Sequence, residues 1–256
     1  MSEKLGISTF QIPLVWNSPI ANKKTIESHF SGLLNTDIVV LPETFTTGFA
    51  VTSFTAETMQ GETVNWMLKM SKKFQFALVG SLFITENEAT YNRMIFTSPD
   101  GTLQWYDKWH LFGMGNEAKL LTKGAQLPIF EYKGWNIKPL ICYDLRFPVT
   151  TRNTEDYDII ICIANWPKPR VEAWDTLLKA RAIENLCYVV GVNRVGEDAN
   201  NLNYTGHSNI YDPLGKALMR TSEAESITTT VIDKNTIKQL RTKFPFLNDR
   251  DRFTMD

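Results

Sequence analysis

Apolar residues along this chain gather in short runs, and polar clusters break the runs at intervals typical of a mixed α/β fold. Leu5–Phe10, Asp37–Leu41, Phe76–Phe83, Asn92–Thr97, Leu103–Asp107, Trp135–Ile141, Ile159–Ala164 and Cys187–Val192 each read as a strand, and a later pair comes at Asn209–Tyr211 and Ile227–Ile232. Ile159-Ile160-Ile161-Cys162-Ile163 is apolar at every position, which predicts a strand covered on both faces. Ile227-Thr228-Thr229-Thr230-Val231-Ile232 is mixed and predicts a place nearer a sheet edge.

Helical periodicity lies between several strands. Ser18 offers an N-cap and Pro19 a first helical position, opening a helix to about Leu34 with Ile26, Phe30, Leu33 and Leu34 turned inward. A second helix covers roughly Thr63–Lys73, with Val64, Met67 and Leu68 inward, and a third runs from about Val171 to Asn185, with Trp174, Leu177, Leu178 and Ala182 inward. Arg181 shares that inner face and needs a carboxylate partner there; Glu184 and Glu172 are local candidates. No Pro/Gly/Ser-rich linker, low-complexity tract or tight repeat interrupts the pattern. The expectation is one domain over residues 1–256, built of sheets covered by helices.

Composition narrows the classes. The chain has 256 residues, 43% hydrophobic and 21% charged, with a net charge of -1, as in an ordinary soluble globular protein. Basic residues are scattered, so nothing draws the chain to nucleic acid or to an anionic membrane. No apolar stretch is long enough to span a bilayer, and Met1-Ser2-Glu3-Lys4 runs straight into a strand-like segment with no signal-peptide core. Three widely spaced cysteines argue against a disulfide framework and for a reducing, cytoplasmic setting. His29, His110 and His207 lie far apart, and no Cys/His cluster has zinc-ligand spacing, so no metal site is expected.

The candidate chemistry begins at Cys142. It ends the apolar run Pro139-Leu140-Ile141, and Tyr143-Asp144-Leu145-Arg146-Phe147-Pro148 turns polar at once. A thiol at such a strand-to-helix corner is held toward solvent, and the free N–H groups of the next turn favour its thiolate. Cys162 and Cys187, in strongly apolar strands, read as ordinary core cysteines. Glu43 follows Ile38-Val39-Val40-Leu41-Pro42, and Lys108 follows Leu103-Gln104-Trp105-Tyr106-Asp107. A base, a cation and a thiol, each just past a strand, suggest one site at one edge of a sheet. Glu43 could take the thiol proton, while Lys108 and the backbone N–H of Tyr143 could stabilise an oxyanion. Taken alone, Glu43 and Lys108 would more often be surface charges, and His110 a hydrogen-bonded structural residue. Gly113-Met114-Gly115-Asn116-Glu117-Ala118 fits a G-x-G-x-x-A pattern, but no strand directly precedes it and Lys138 lies near the downstream acidic position, which argues against a dinucleotide site.

Three segments together resemble the signatures of the nitrilase superfamily of carbon–nitrogen hydrolases: Leu41-Pro42-Glu43-Thr44-Phe45, Tyr106-Asp107-Lys108-Trp109-His110-Leu111-Phe112, and Ile141-Cys142-Tyr143-Asp144-Leu145-Arg146-Phe147-Pro148. The order Glu43, Lys108, Cys142 matches that family's catalytic triad, and Glu117 matches its second glutamate. The likeness continues through Arg181-Ala182-Ile183-Glu184-Asn185 and Gly206-His207-Ser208-Asn209-Ile210-Tyr211-Asp212-Pro213. It implies a four-layer α-β-β-α sandwich, no cofactor, and pairing into homodimers or larger homo-oligomers through the helices after Phe147 and Pro169. Phe112–Glu117 and Tyr143–Pro148 look most like the omega-amidase branch, whose substrates are small dicarboxylic monoamides such as 2-oxoglutaramate, 2-oxosuccinamate and succinamate. That resemblance makes Phe112, Asn165, Trp166 and Arg170 pocket candidates, and Arg146, Lys168 and Arg170 candidate holders of the far carboxylate. The alternatives are another amidase branch (deaminated glutathione amidase, N-carbamoyl amino acid hydrolase or nitrilase) or a catalytically silent scaffold of the same fold.

Overall fold

Period-two alternation dictates two stacked sheets with helices on their outer faces. In chain order the elements are β1 (Lys4–Gln11), α1 (Pro19–Phe30), β2 (Ile38–Val40), α2 (Glu62–Phe74), β3 (Ala77–Glu86), β4 (Ala89–Thr97), β5 (Leu103–Asp107) and α3 (Glu117–Leu120). There follow β6 (Phe130–Tyr132), β7 (Trp135–Ile141), α4 (Pro148–Thr151), β8 (Ile159–Ala164), α5 (Val171–Asn185), β9 (Tyr188–Asn193), β10 (Val195–Glu197), β11 (Asn203–Thr205), β12 (Asn209–Tyr211), β13 (Ser226–Asp233) and α6 (Lys234–Lys243). This computed structural model describes residues 3–254; Met1 and Ser2, which the sequence reads as a lead-in to the first strand, lie outside the described residues.

Among the described residues, one sheet runs β13-β1-β2-β3-β4-β5 and the other β12-β9-β8-β7-β6, with β10 and β11 as a separate hairpin. Strand β8 shows how the layers form. Ile159, Ile161 and Ile163 face the space between the sheets, where they meet Ile7, Ile38, Val40, Val79 and Phe96. Ile160, Cys162 and Ala164 face the other way, against Trp174, Leu178 and Ala182 of α5. On the far side, Val39, Leu78, Leu82 and Ile95 pack under Ile26 and Phe30 of α1 and Val64, Met67 and Met70 of α2. The result is the four-layer α-β-β-α sandwich, with a dry core in each of its three seams.

The strands fall where the apolar runs place them, within a few residues. β8 lies between β7 and β9 in parallel register, and β13 is an edge strand paired with β1 alone. Helix α1 is shorter than its pattern predicts. It ends at Phe30, and Leu34 is 75% exposed beyond it. Ser18 does occupy the N-cap position ahead of Pro19, but its side chain makes no capping bond. In α2 the inward residues include Met70 and Ser71, while Leu68 is only half-buried. Arg181 donates to Glu184 Oε1 at 2.9 Å, so Glu184 and not Glu172 is its acid. Short strands β6, β10 and β11 and helix α6 have patterns too brief or too polar to read from sequence.

The inter-sheet seam depends on close packing, so truncation there is costly. Ile161→Ala should lower the unfolding free energy by about 2–5 kcal/mol, read as a lower urea midpoint at unchanged slope.

Candidate active site

The site forms where the ends of β2, β5, β7 and β8 meet. Cys142 directly follows β7 and opens a five-residue 3-10 turn, Cys142–Arg146. Its φ is +48°, a left-handed conformation that is unfavourable for a residue with a Cβ and concentrates at functional sites. Asp144 holds the turn in place. Its Oδ2 accepts from Ile141 N at 3.0 Å and from the Tyr106 hydroxyl at 2.8 Å. Its Oδ1 accepts from His110 N at 2.9 Å and lies 2.9 Å from His110 Nδ1. Tyr106 and His110 flank Lys108 by two residues on either side, so one buried carboxylate locks the lysine segment to the cysteine turn. Arg181 adds a bond from Nη2 to Leu145 O at 2.8 Å, and the His110 ring stacks on Phe147 at 3.7 Å.

Lys108 directly follows β5 and is 1% exposed, while Glu43 and Glu117 are fully buried. The ammonium Nζ donates to Glu43 Oε1 at 2.9 Å and to Glu117 Oε2 at 2.8 Å. Asn92 spans the same two acids, its Nδ2 donating to Glu43 Oε1 at 2.9 Å and Glu117 Oε1 at 3.0 Å. The other Glu43 oxygen, Oε2, accepts from Asn165 N at 2.8 Å. Glu117 Oε2 also accepts from Phe112 N at 2.7 Å. Burial opposes the lysine's charge, but the carboxylates of Glu117 and Glu43 outweigh it and hold its pKa above the ordinary value. Lys108 is therefore a fixed ammonium. The turn bearing Glu43 is seated by Phe45, which packs so close to β3 that a Cβ on Gly80 would stand 2.6 Å from its ring.

These groups open onto a cavity of about 370 Å³, whose lining includes Glu43, Lys108, Cys142, Tyr143, Phe112, Asn165, Trp166 and Arg170. The thiol lies 4.0 Å from Asn165 O. Arg146 lies over the Trp166 ring at 4.9 Å and Arg170 over the Phe112 ring at 5.4 Å. Both guanidiniums line the cavity, and neither is held by an acid among the described residues. Lys168, the third candidate for a substrate carboxylate, is not among the lining residues, although Arg170 of the same 3-10 turn is.

A carbon-nitrogen hydrolase family model matches residues 7–242. The chain belongs to the carbon-nitrogen hydrolase family. Omega-amidase YafV of Escherichia coli (strain K12) is 40% identical over 253 residues, covering 98% of this chain and 98% of its own. The 2-oxoglutaramate amidase of Bacillus subtilis (strain 168) is 33% identical, covering 96% and 97%. A CN-hydrolase superfamily protein of Xanthomonas campestris, whose crystal structure carries an arsenic adduct in the active site, matches with a TM-score of 0.96 at 41% identity over 100% of both chains. The hydrolase thus falls in the nitrilase superfamily, in its omega-amidase-like branch, and acts on amide carbon–nitrogen bonds.

One expectation for this hydrolase is overturned. The turn was expected to favour the Cys142 thiolate, but desolvation and the nearby Glu43 carboxylate push the thiol well above the ordinary cysteine value, against the pull of Lys108. The half-buried thiol is thereby held toward its neutral form, near the Glu43 carboxylate. Sequence reasoning also missed residues that complete the site. Asn92 sits inside a strand and Asp144 reads as an ordinary turn acid. Trp16, Asp198, Asn200, Leu202 and Tyr204 line the cavity from loops and a hairpin far along the chain. The only sequence signal for any of them is polarity inside an apolar strand, at Asn92. The G-x-G-x-x-A segment is a 3-10 turn, Gly113–Gly115, with β5 already ended at Asp107.

The thiol environment has a direct readout. With its pKa raised, Cys142 should show no ultraviolet thiolate band at neutral pH; the band that Cys142→Ala removes should emerge only above the ordinary cysteine value of 9.0. In the native protein iodoacetamide should label Cys142 and spare Cys162 and Cys187, which are fully buried. Equal labelling of all three would contradict the geometry.

Proposed function

We propose that this chain is a cysteine-dependent omega-amidase that removes the terminal amide of small dicarboxylic acid monoamides, of the 2-oxoglutaramate, 2-oxosuccinamate and succinamate type, through a thioester. The observation that carries this reading is the cavity itself. A half-buried thiol and a doubly paired ammonium share a space with two arginines that have no acid partner among the described residues. The names of the Escherichia coli and Bacillus subtilis relatives support the same substrate class.

In this mechanism Glu43 takes the Cys142 proton as Sγ attacks the amide carbon. The charge that develops on the carbonyl oxygen meets Lys108 Nζ and the Tyr143 N–H, donors that are fixed before the reaction begins. Glu43 then gives its proton to the amide nitrogen, the C–N bond breaks, and ammonia leaves a thioester. A water molecule, deprotonated by Glu43, attacks that thioester; the carboxylic acid is released and Cys142 regains its proton. Glu117 and Asn92 hold Lys108 and Glu43 in register for both halves. Arg146 and Arg170 bind the distal carboxylate, each lying over an aromatic ring.

Residues 1–256 act as one carbon–nitrogen hydrolase domain in this reading, in a reducing compartment that keeps its three thiols free. Copies of it pair through α4 and α5, where Val149 and Ile183 are 53% and 46% exposed; sedimentation at micromolar concentration tests that pairing.

A substrate panel read as free ammonia tests the activity. Turnover of 2-oxoglutaramate or succinamate is expected, well above N-carbamoyl amino acids, nitriles and deaminated glutathione. No release from any ω-amide acid would refute the assignment. Cys142→Ala should abolish turnover and leave the fold intact, with Cys142→Ser nearly as inactive because a hydroxyl is far less acidic. Lys108→Ala should lower kcat about 10²- to 10³-fold. Arg146→Ala and Arg170→Ala should each raise KM for succinamate about tenfold or more.

A further inference from the structure

Arg194 follows β9 and is 1% exposed, yet no carboxylate lies within ion-pair distance of it among the described residues. Its hydrogen bonds go to main-chain carbonyls: Nε to Val195 O at 3.3 Å, and Nη2 to Leu14 O at 3.1 Å and Glu197 O at 3.2 Å. Nη1 is buried with no hydrogen-bond partner. Arginine keeps its proton in proteins, so a whole positive charge stands in the interior. Burial pushes its pKa down, and Tyr204 and Asp198 offset that only in part. A buried charge without a paired acid is costly to the fold.

Its place accounts for it. The guanidinium carbon lies 4.6 Å from the centre of the Tyr204 ring. Nη1 is 3.3 Å from where a Cβ would stand on Gly48, and the Trp16 ring is 3.5 Å from the same point. Trp16 and Tyr204 both line the cavity, so the charge lies one side-chain layer behind its wall. Charge balance shows what it changes. Lys108 is already matched by Glu43 and Glu117. Asp198 lines the cavity as Glu43 does, while Glu117 lies behind Lys108; Asp198 is held by the Tyr204 hydroxyl at 2.9 Å and by Asn200 N at 2.8 Å. Lys108, Arg146 and Arg170 of the lining are matched by Glu43 and Asp198 of the lining and by Glu117 behind it, so these six charges cancel. Arg194 supplies the excess positive charge.

We propose that Arg194 is a positioning residue that sets specificity: from behind the Trp16–Tyr204 wall its buried charge biases the cavity toward ligands with an anionic distal end. This rests on the reading that the cavity takes an anionic amide. It differs from the role of Arg146 and Arg170 in that Arg194 touches no ligand. It acts through the field and through the hairpin it ties to Leu14.

The test needs no turnover. Cys142 is alkylated with iodoacetate, an anion, and with iodoacetamide, its neutral isostere, and the two rates are followed by mass spectrometry in wild type, Arg194→Lys and Arg194→Met. The iodoacetate-to-iodoacetamide ratio should fall about tenfold in Arg194→Met, the size expected for one charge acting across a side-chain layer, and stay near wild type in Arg194→Lys. Equal loss of both rates in Arg194→Met would reduce Arg194 to a holder of the wall and overturn the proposal, as would a ratio that falls alike in both variants. Should Arg194→Met not fold, Arg194→Gln takes its place, with the same expected fall in the ratio and the same refuting outcomes. Failure of the amidase assay with a ratio that behaves as expected would count against the substrate and not against Arg194.

Discussion

One buried ammonium shared between two carboxylates organises this molecule's chemistry. Glu43 and Lys108 come from the loops after β2 and β5, Glu117 from the start of α3, and all three have almost no exposed surface. Taking any one of them into the interior alone would be prohibitive; together they satisfy one another, and Asn92 and Asn165 supply the remaining donors. The arrangement is all-or-none. The loops after β2 and β5 must arrive together, because an unpaired member would leave a bare charge in the core. That requirement links the folding of the first sheet to the assembly of the site.

The second constraint is the backbone of Cys142. A left-handed residue at the end of a core strand is strained, and a strained turn persists only when its surroundings over-determine it. Here the surroundings are the four contacts to the Asp144 carboxylate and the Arg181 bond to Leu145 O. Tyr106 and His110 bring the lysine segment to the same carboxylate, so positioning of the cation and positioning of the thiol are a single event. The Cys142 thiol, pushed above its ordinary value by burial and by Glu43, stands at the head of this turn.

The legible parts of the sequence were those where local pattern and global fold agree. β8 is apolar at every position because it is covered by a sheet on one face and α5 on the other, and its period-two split between the seams follows from strand geometry alone. The three strand ends carrying Glu43, Lys108 and Cys142 could be found because each polar residue breaks an apolar run. Leu34 misled because an apolar residue past a helix end has the same spacing as one on its buried face. Lys168 misled because its neighbours in sequence, Trp166 and Arg170, do line the cavity, while within the turn Lys168–Arg170 it does not.

The sequence by itself determined the class of layers, the order of the strands, and the residue types available for a thiol-based hydrolysis, since these depend on periodicity and on short contiguous motifs. Only the tertiary structure decided the upward push on the thiol pKa, the pairing of Lys108 with both acids, and the lack of an acid partner, among the described residues, for Arg146, Arg170 and Arg194. Those properties come from desolvation and from distances between segments up to 122 positions apart, such as Glu43 and Asn165. Burial and proximity are set by the closed fold, and no local pattern encodes them.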